Sequence, residues 1–108
     1  MVVKNERKRY ILVEFYRSPP SKRELINQLR NNIESLGGQL ALAKASIHVI
    51  DVLDHFAIIR ATTESRDLVE SAIQLLDFDD NLVTIRVVSG TIAKINTLLN
   101  QEYRDEID

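Results

Sequence analysis

The side chains best supplied for chemistry are cations. Lys4, Arg7, Lys8 and Arg9 crowd the first nine residues, and Lys22, Arg23 and Arg30 follow within one short segment. Such a density suits a phosphate backbone, because each neutralised phosphate releases a counterion and that release drives nucleic-acid affinity. A second candidate is Ser89-Gly90-Thr91, with Lys94 one turn further on. Free N–H groups at a helix start, beside a lysine, can hold a phosphate. The same tripeptide also makes a plain corner, since Ser or Thr accepts from a free backbone N–H and Gly permits a sharp reversal. The local chemistry favours the corner and leaves the phosphate reading open.

Other chemistries are poorly supplied. His48, His55, Asp51 and Asp54 flank a turn without the spacing of a metal site. Asp77, Asp79 and Asp80 are ordinary turn residues. The chain has no cysteine, which excludes disulfides and thiolate metal sites. It carries no Ser/His/Asp nucleophile pattern and no Gly-rich phosphate loop. We therefore expect no catalytic residue and no metal or cofactor held by the protein.

At 108 residues the chain fits one domain with a core of its own. No apolar run approaches the ~18 residues that span a membrane, and MVVKNERKRY lacks a signal-peptide core, so a soluble cytoplasmic protein is the expectation. The net charge of −2 conceals an asymmetry. Residues 1–44 hold nine Lys/Arg against four Asp/Glu, whereas residues 45–108 hold five against twelve. That split suits one face for a polyanion and another for something else, or else it is only a solvated surface.

These residues need elements to position them. Residues 1–9 read as a flexible basic arm, 10–101 as a single domain and 102–108 as a frayed acidic tail. YILVEFY, residues 10–16, is dense in β-branched and aromatic residues and predicts a strand, stopped by Ser18-Pro19-Pro20. Ser21 and Glu24 form a capping box that opens a helix with Leu25, Ile26, Leu29, Ile33 and Leu36 on one face. Gly37-Gly38 predicts its end. Residues 39–43 stay ambiguous, and 44–51 predict a second strand.

A hairpin-like turn at 51–55 leads to a third strand at 56–62. Thr63 then caps a second helix carrying Leu68, Val69, Ala72, Ile73 and Leu76. After a turn at 77–81 come a fourth strand at 82–88 and a third helix from about 91 to 101.

The order β-α-β-β-α-β plus a C-terminal helix matches an α+β, ferredoxin-like sandwich: a four-stranded antiparallel sheet with the first and third strands central. A strand half open to water should alternate apolar and polar residues. Here the first, third and fourth strands carry apolar groups on both sides, so both sheet faces need cover. Ile92, Ile95, Leu98 and Leu99 of the third helix are expected to pack on the second face, or on a partner protein that shares it.

RNA-recognition motifs share this topology, but they stack bases on several aromatic residues of the central strands. HFAIIRAT supplies one. RNA, if bound, is bound by charge. Two rival classes share the shape: a small-ligand-binding regulatory domain, and an acylphosphatase-like enzyme. The latter needs a phosphate-gripping loop after the first strand, and Arg17-Ser18-Pro19-Pro20 has two residues without an N–H.

Three segments carry a family likeness. RYILVEF resembles the start of archaeal ribonuclease P protein component 2, AIIR is similar to its G-I-V-R strand, and VTIRVVSGTIAKI is similar to its closing segment. The spacing agrees from about Lys8 to Leu99, with Ala57 where the family has Gly and Ala93 where it often has Arg. The matching positions are Arg9, Tyr10, Glu14, Arg60, Ser89, Gly90 and Thr91.

The resemblance implies a noncatalytic subunit of ribonuclease P, a ribonucleoprotein that removes the 5′ leader of precursor tRNA. The RNA and its magnesium ions perform the hydrolysis. The implied partners are ribonuclease P RNA, precursor tRNA indirectly, and ribonuclease P protein component 3, with a possible dimer of heterodimers. Glu14 and Arg60, on neighbouring central strands, are expected to pair across the sheet.

Overall fold

Burial of the apolar strand residues organises the chain into one sheet with helices on both sides. A computed structural model describes residues 7–107, with side chains through Gln101. The first strand, β1 (Lys8–Phe15), begins two residues before the apolar run, because Lys8 and Arg9 pair with Thr62 and Ala61. Those two cations therefore belong to the sheet and not to a free arm. Lys4 lies outside the described residues.

The first helix, α1 (Lys22–Ala45), opens as the capping box requires: Ser21 Oγ accepts from the Glu24 N–H at 3.2 Å. It does not stop at the glycine pair. Gly38 alone leaves the helical region (φ 88°, ψ 176°), and the helix resumes through Ala45. Good helix formers, QLALAKA, follow the kink, and Ala45 is fully buried against the core. Residues 44 and 45, expected in a strand, are thus the last turn of α1. Ser46 closes the helix in the left-handed region (φ 46°). Gly37 serves close packing instead: a Cβ there would meet the Ala41 Cβ at 2.8 Å and Leu68 at 3.0 Å.

A hairpin follows, β2 (His48–Leu53) and β3 (Phe56–Thr62), turned at Asp54 in the left-handed region. Thr63, expected as a helix cap, lies inside a short 3-10 turn (Thr63–Ser65) that precedes α2 (Arg66–Gln74). The last elements are β4 (Val83–Ser89) and α3 (Ile92–Ile107). All strand pairs are antiparallel in the order β2-β3-β1-β4, so β1 and β3 are central as the plan requires.

Two cores lie against the two faces. Ile11, Val13, Phe15, Ile59 and Ala61 meet Leu25, Leu29 and Ile33 of α1 and Val69, Ala72 and Ile73 of α2. On the other face Leu12, Phe56 and Ile58 meet Ile95 of α3, with Tyr10, Ile50, Val87, Ile92 and Leu99 packed around them. The third helix does cover the second face.

The docking of α3 and the kink in α1 can each be weighed by unfolding. Ile95 is fully buried, so Ile95→Ala should cost about 2–5 kcal/mol in urea unfolding. A loss below about 1 kcal/mol would mean that α3 is not docked. At Gly38 a Cβ would have nothing within 4 Å. Gly38→Ala should therefore cost about 1–3 kcal/mol through the backbone alone.

Candidate nucleic-acid interface

Strand register decides which of the candidate residues meet. Tyr10 stands opposite Arg60 on β3 and opposite Ser89 on β4, and Arg60 stands opposite His48 on β2. Residues directly opposite in a sheet share a face. His48, Arg60, Tyr10 and Ser89 therefore form one row across all four strands. Three of the four are positions that the family likeness marked separately. Arg60 is half-buried in this row, and its Nε is buried without a hydrogen-bond partner among the described residues.

The row lies at the end of the sheet where β1 begins and where β3 and β4 finish. Arg7 O accepts from the Thr63 N–H at 2.9 Å, which holds the residue before β1 against the turn after β3. The hydroxyl of buried Thr62 donates to Lys44 O at 3.0 Å, tying the last turn of α1 to the same end. The corner after β4 starts α3 there too. One end of the molecule thus gathers Arg7, Lys8, Arg9, Arg60, Lys44 and Lys94. Glu64, in the 3-10 turn, and Asp67, in the first turn of α2, are acids brought to the same end. Lys44 was not among the expected RNA-binding residues; it joins this group as part of the last turn of α1, tied to Thr62 at the end of β3.

Lys22 and Arg23 do not join the cluster. They lie at the start of α1, at the far end of β1. Asn81 there accepts from the Arg17 N–H at 2.6 Å and donates to Ser18 O at 2.9 Å, and Gln28 bonds both the N–H and the carbonyl of Asp77. That end also holds a surface hollow lined by Glu24, Asp77 and Asp79, and Asp79 and Asp80 have left-handed backbone. Arg30, further along α1, shares a surface hollow with Gln39, Ser46 and His48 on the β2 side.

The corner itself is built by Ser89, which is buried and accepts from the Thr91 N–H through Oγ at 3.1 Å. A bond to the residue two positions on closes a turn, and is not a cap reaching into the helix. Gly90 and Thr91 are exposed, as is Lys94.

The expected Glu14–Arg60 pair does not form. Glu14 faces Phe56 and Thr84 in the ladder, whereas Arg60 faces Tyr10, four residues away along β1. Glu14 instead accepts from Arg86 at 2.7 Å across the β1–β4 pair. Arg86 falls where the register shifts, opposite Leu12 and Val13, and the bulge aims it at Glu14. Both side chains are more than a third exposed, so this pair contributes less than about 1 kcal/mol.

The α3 stripe also divides. Ile95 is fully buried in the chain's own sheet and is not available to a partner. Ile92 and Leu99 are half-buried around the second core, and Leu98 is half-buried.

The model of the Rpp14/Pop5 family matches residues 9–99. The chain belongs to the Rpp14/Pop5 family. The matched stretch runs from Arg9 to Leu99 and so contains the whole Tyr10–Arg60–Ser89 row and the corner. Among solved structures, a chain of "Cryo-EM structure of yeast Ribonuclease MRP" superimposes with a TM-score of 0.63. The match covers 96% of this chain and 97% of that one at 14% identity, a likeness of fold. No curated protein sequence matches the chain.

Removing the corner hydroxyl leaves the Thr91 N–H without its partner. Ser89→Ala should therefore lower stability by about 1 kcal/mol in thermal unfolding. An unchanged melting temperature would show that the corner does not depend on that bond.

Proposed function

We propose that the chain is a noncatalytic protein subunit of ribonuclease P, supporting RNA-catalysed removal of the 5′ leader from precursor tRNA. Membership of the Rpp14/Pop5 family supports a place in a ribonucleoprotein. The observation that carries the reading to the molecule's surface is the basic end: Arg7 just before β1, with Lys8, Arg9, Lys44, Arg60 and Lys94 from four elements that meet at one end of the sheet.

Cations on a rigid end recognise the sugar–phosphate backbone by spacing and charge, without base readout. The protein binds the catalytic domain of the RNA through this end and helps it adopt its active shape. The RNA and its magnesium ions carry the hydrolysis, and no group on this chain takes part in bond breaking. Ribonuclease P protein component 3 occupies the apolar surface that α3 leaves half-buried at Leu98 and Leu99, and a dimer of such heterodimers is compatible with this arrangement. The complex works in the cytoplasm.

A net charge of −2 fits a subunit that binds RNA weakly alone and more tightly beside a partner. Precursor-tRNA cleavage by the RNA with component 3, measured with and without this chain, tests the role. We expect faster cleavage, or cleavage at lower magnesium, when the chain is present; identical rates would refute it.

The assignment of the face has its own test. Neutralising exposed Arg7, Lys44 or Lys94 should reduce the slope of log K against log salt by roughly 1 each. Neutralising Lys22 and Arg23 together should leave that slope unchanged. The reverse pattern would place RNA on the start of α1.

A further inference from the structure

Gly90 is a glycine without a backbone reason for being one. Among the described residues the glycine with positive φ is Gly38; Gly90 has a conformation that any residue can adopt. Nor is Gly90 packed into a core, since it is exposed. What it does have is a neighbour. A Cβ built on Gly90 would lie 2.9 Å from Arg9 Nη1 and 3.9 Å from Arg9 Cζ. The guanidinium of Arg9 therefore rests on the bare Cα of Gly90.

The backbone on both sides of this contact is fixed. Arg9 pairs with Ala61 in the central ladder, and the next residue, Tyr10, pairs with both Arg60 and Ser89. Ser89 is buried and holds the corner through its bond to the Thr91 N–H. Arg9 is half-buried, and no hydrogen bond or ion pair among the described residues occupies its guanidinium. Its head group is thus located by shape, against a rigid corner, with its hydrogen-bonding capacity left over. A cation already held near its bound position loses less freedom when it meets a phosphate.

We propose that Gly90 is a positioning residue for RNA: the missing side chain makes a seat for the Arg9 guanidinium, which presents it to a backbone phosphate. This rests on the reading of the basic end as the RNA interface. A methyl group on Gly90 would push the head group off its seat. The displaced atom is the far end of a flexible side chain, so the fold adapts at little expense. Glycine to alanine at such a position also restricts the unfolded chain, which favours folding. The substitution should therefore separate binding from stability in opposite directions.

The test is a double-mutant cycle on the full-length chain. Wild type, Gly90→Ala, Arg9→Gln and the double variant are titrated onto in vitro transcribed ribonuclease P RNA across a salt series, with melting temperatures recorded for each. We expect Gly90→Ala to melt at or above the wild-type temperature and to bind about two- to fivefold more weakly. In the Arg9→Gln background it should have no further effect. Gly90→Ser, which adds the same Cβ, should repeat the result.

Wild-type binding by Gly90→Ala, beside weakened binding by Arg9→Gln, would overturn the seat while leaving the interface intact. Equal losses from Gly90→Ala in both backgrounds would show that the corner acts without Arg9, which also overturns it. No change with Arg9→Gln in the wild-type background would remove Arg9 from the interface, and the inference with it.

Discussion

The structure depends on a sheet that is apolar on both faces. A two-layer α/β sandwich tolerates one wet face, and its strands then alternate. Here the second face presents Leu12, Phe56 and Ile58, all buried, and exposing them would cost roughly 1.5–3 kcal/mol each. The chain meets that demand with α3, whose Ile95 is driven fully against the strands. For α3 to reach the face it must leave β4 by a tight reversal. The Ser89–Thr91 corner follows from this, and so does the placing of the α3 start beside the beginning of β1. A corner required by packing thus brings Lys94 to the end that already holds Arg7, Lys8 and Arg9.

The same topology sorts charge. Antiparallel neighbours put the start of β1, the end of β3 and the end of β4 together, next to the turns that lead into α2 and α3. Arg60 arrives beside Tyr10 because the β1–β3 register says so, although fifty residues separate them in the chain. The kink at Gly38 adds Lys44, because a helix that resumes after the break carries its last turn to Thr62. The far end collects Asp54, Asp79 and Asp80 in turns, where short polar side chains tolerate left-handed backbone, with Asp77 close by. The charge asymmetry seen along the sequence becomes an asymmetry in space, though not along the same division: Lys22 and Arg23, early in the chain, finish at the opposite end of the sheet from Lys8 and Arg9.

What could be read from the sequence was whatever a single segment settles. The Ser21–Glu24 box, the helical stripes and the doubly apolar strands each speak locally, and from them the element order, the central strands and the docking of α3 all follow. The misreadings share one cause. Gly37-Gly38 is a strong local stop signal, and it was outweighed by the burial of Ala45, which only the packed core reveals. Glu14 and Arg60 looked like cross-strand partners because they lie on neighbouring central strands, but a ladder pairs residues by register. The register was set by hairpin and bulge geometry that no segment displays by itself. The Tyr10–Arg60–Ser89 row was hidden for the same reason, and so was the contact between Arg9 and Gly90. Family likeness marked these positions one at a time; the ladder explains why they occur together.

An acidic protein can still offer RNA a cationic surface if distance does the separating. Strands of seven or eight residues rise ~3.3 Å each, which places the two ends of this sheet roughly 25 Å apart. The screening length at physiological ionic strength is ~8 Å. A phosphate held at the β1 start is therefore several screening lengths from Asp54, Asp79 and Asp80, and their repulsion is nearly extinguished there. Near the basic end Glu64 and Asp67 remain within range, on the α2 side. Glu64 and Asp67 thus border the basic end at the turn into α2, whereas Lys94 stands beyond the corner on α3. On the proposed reading, a phosphate strand at this end would meet Arg9 and Lys94 on either side of the corner where β4 gives way to α3.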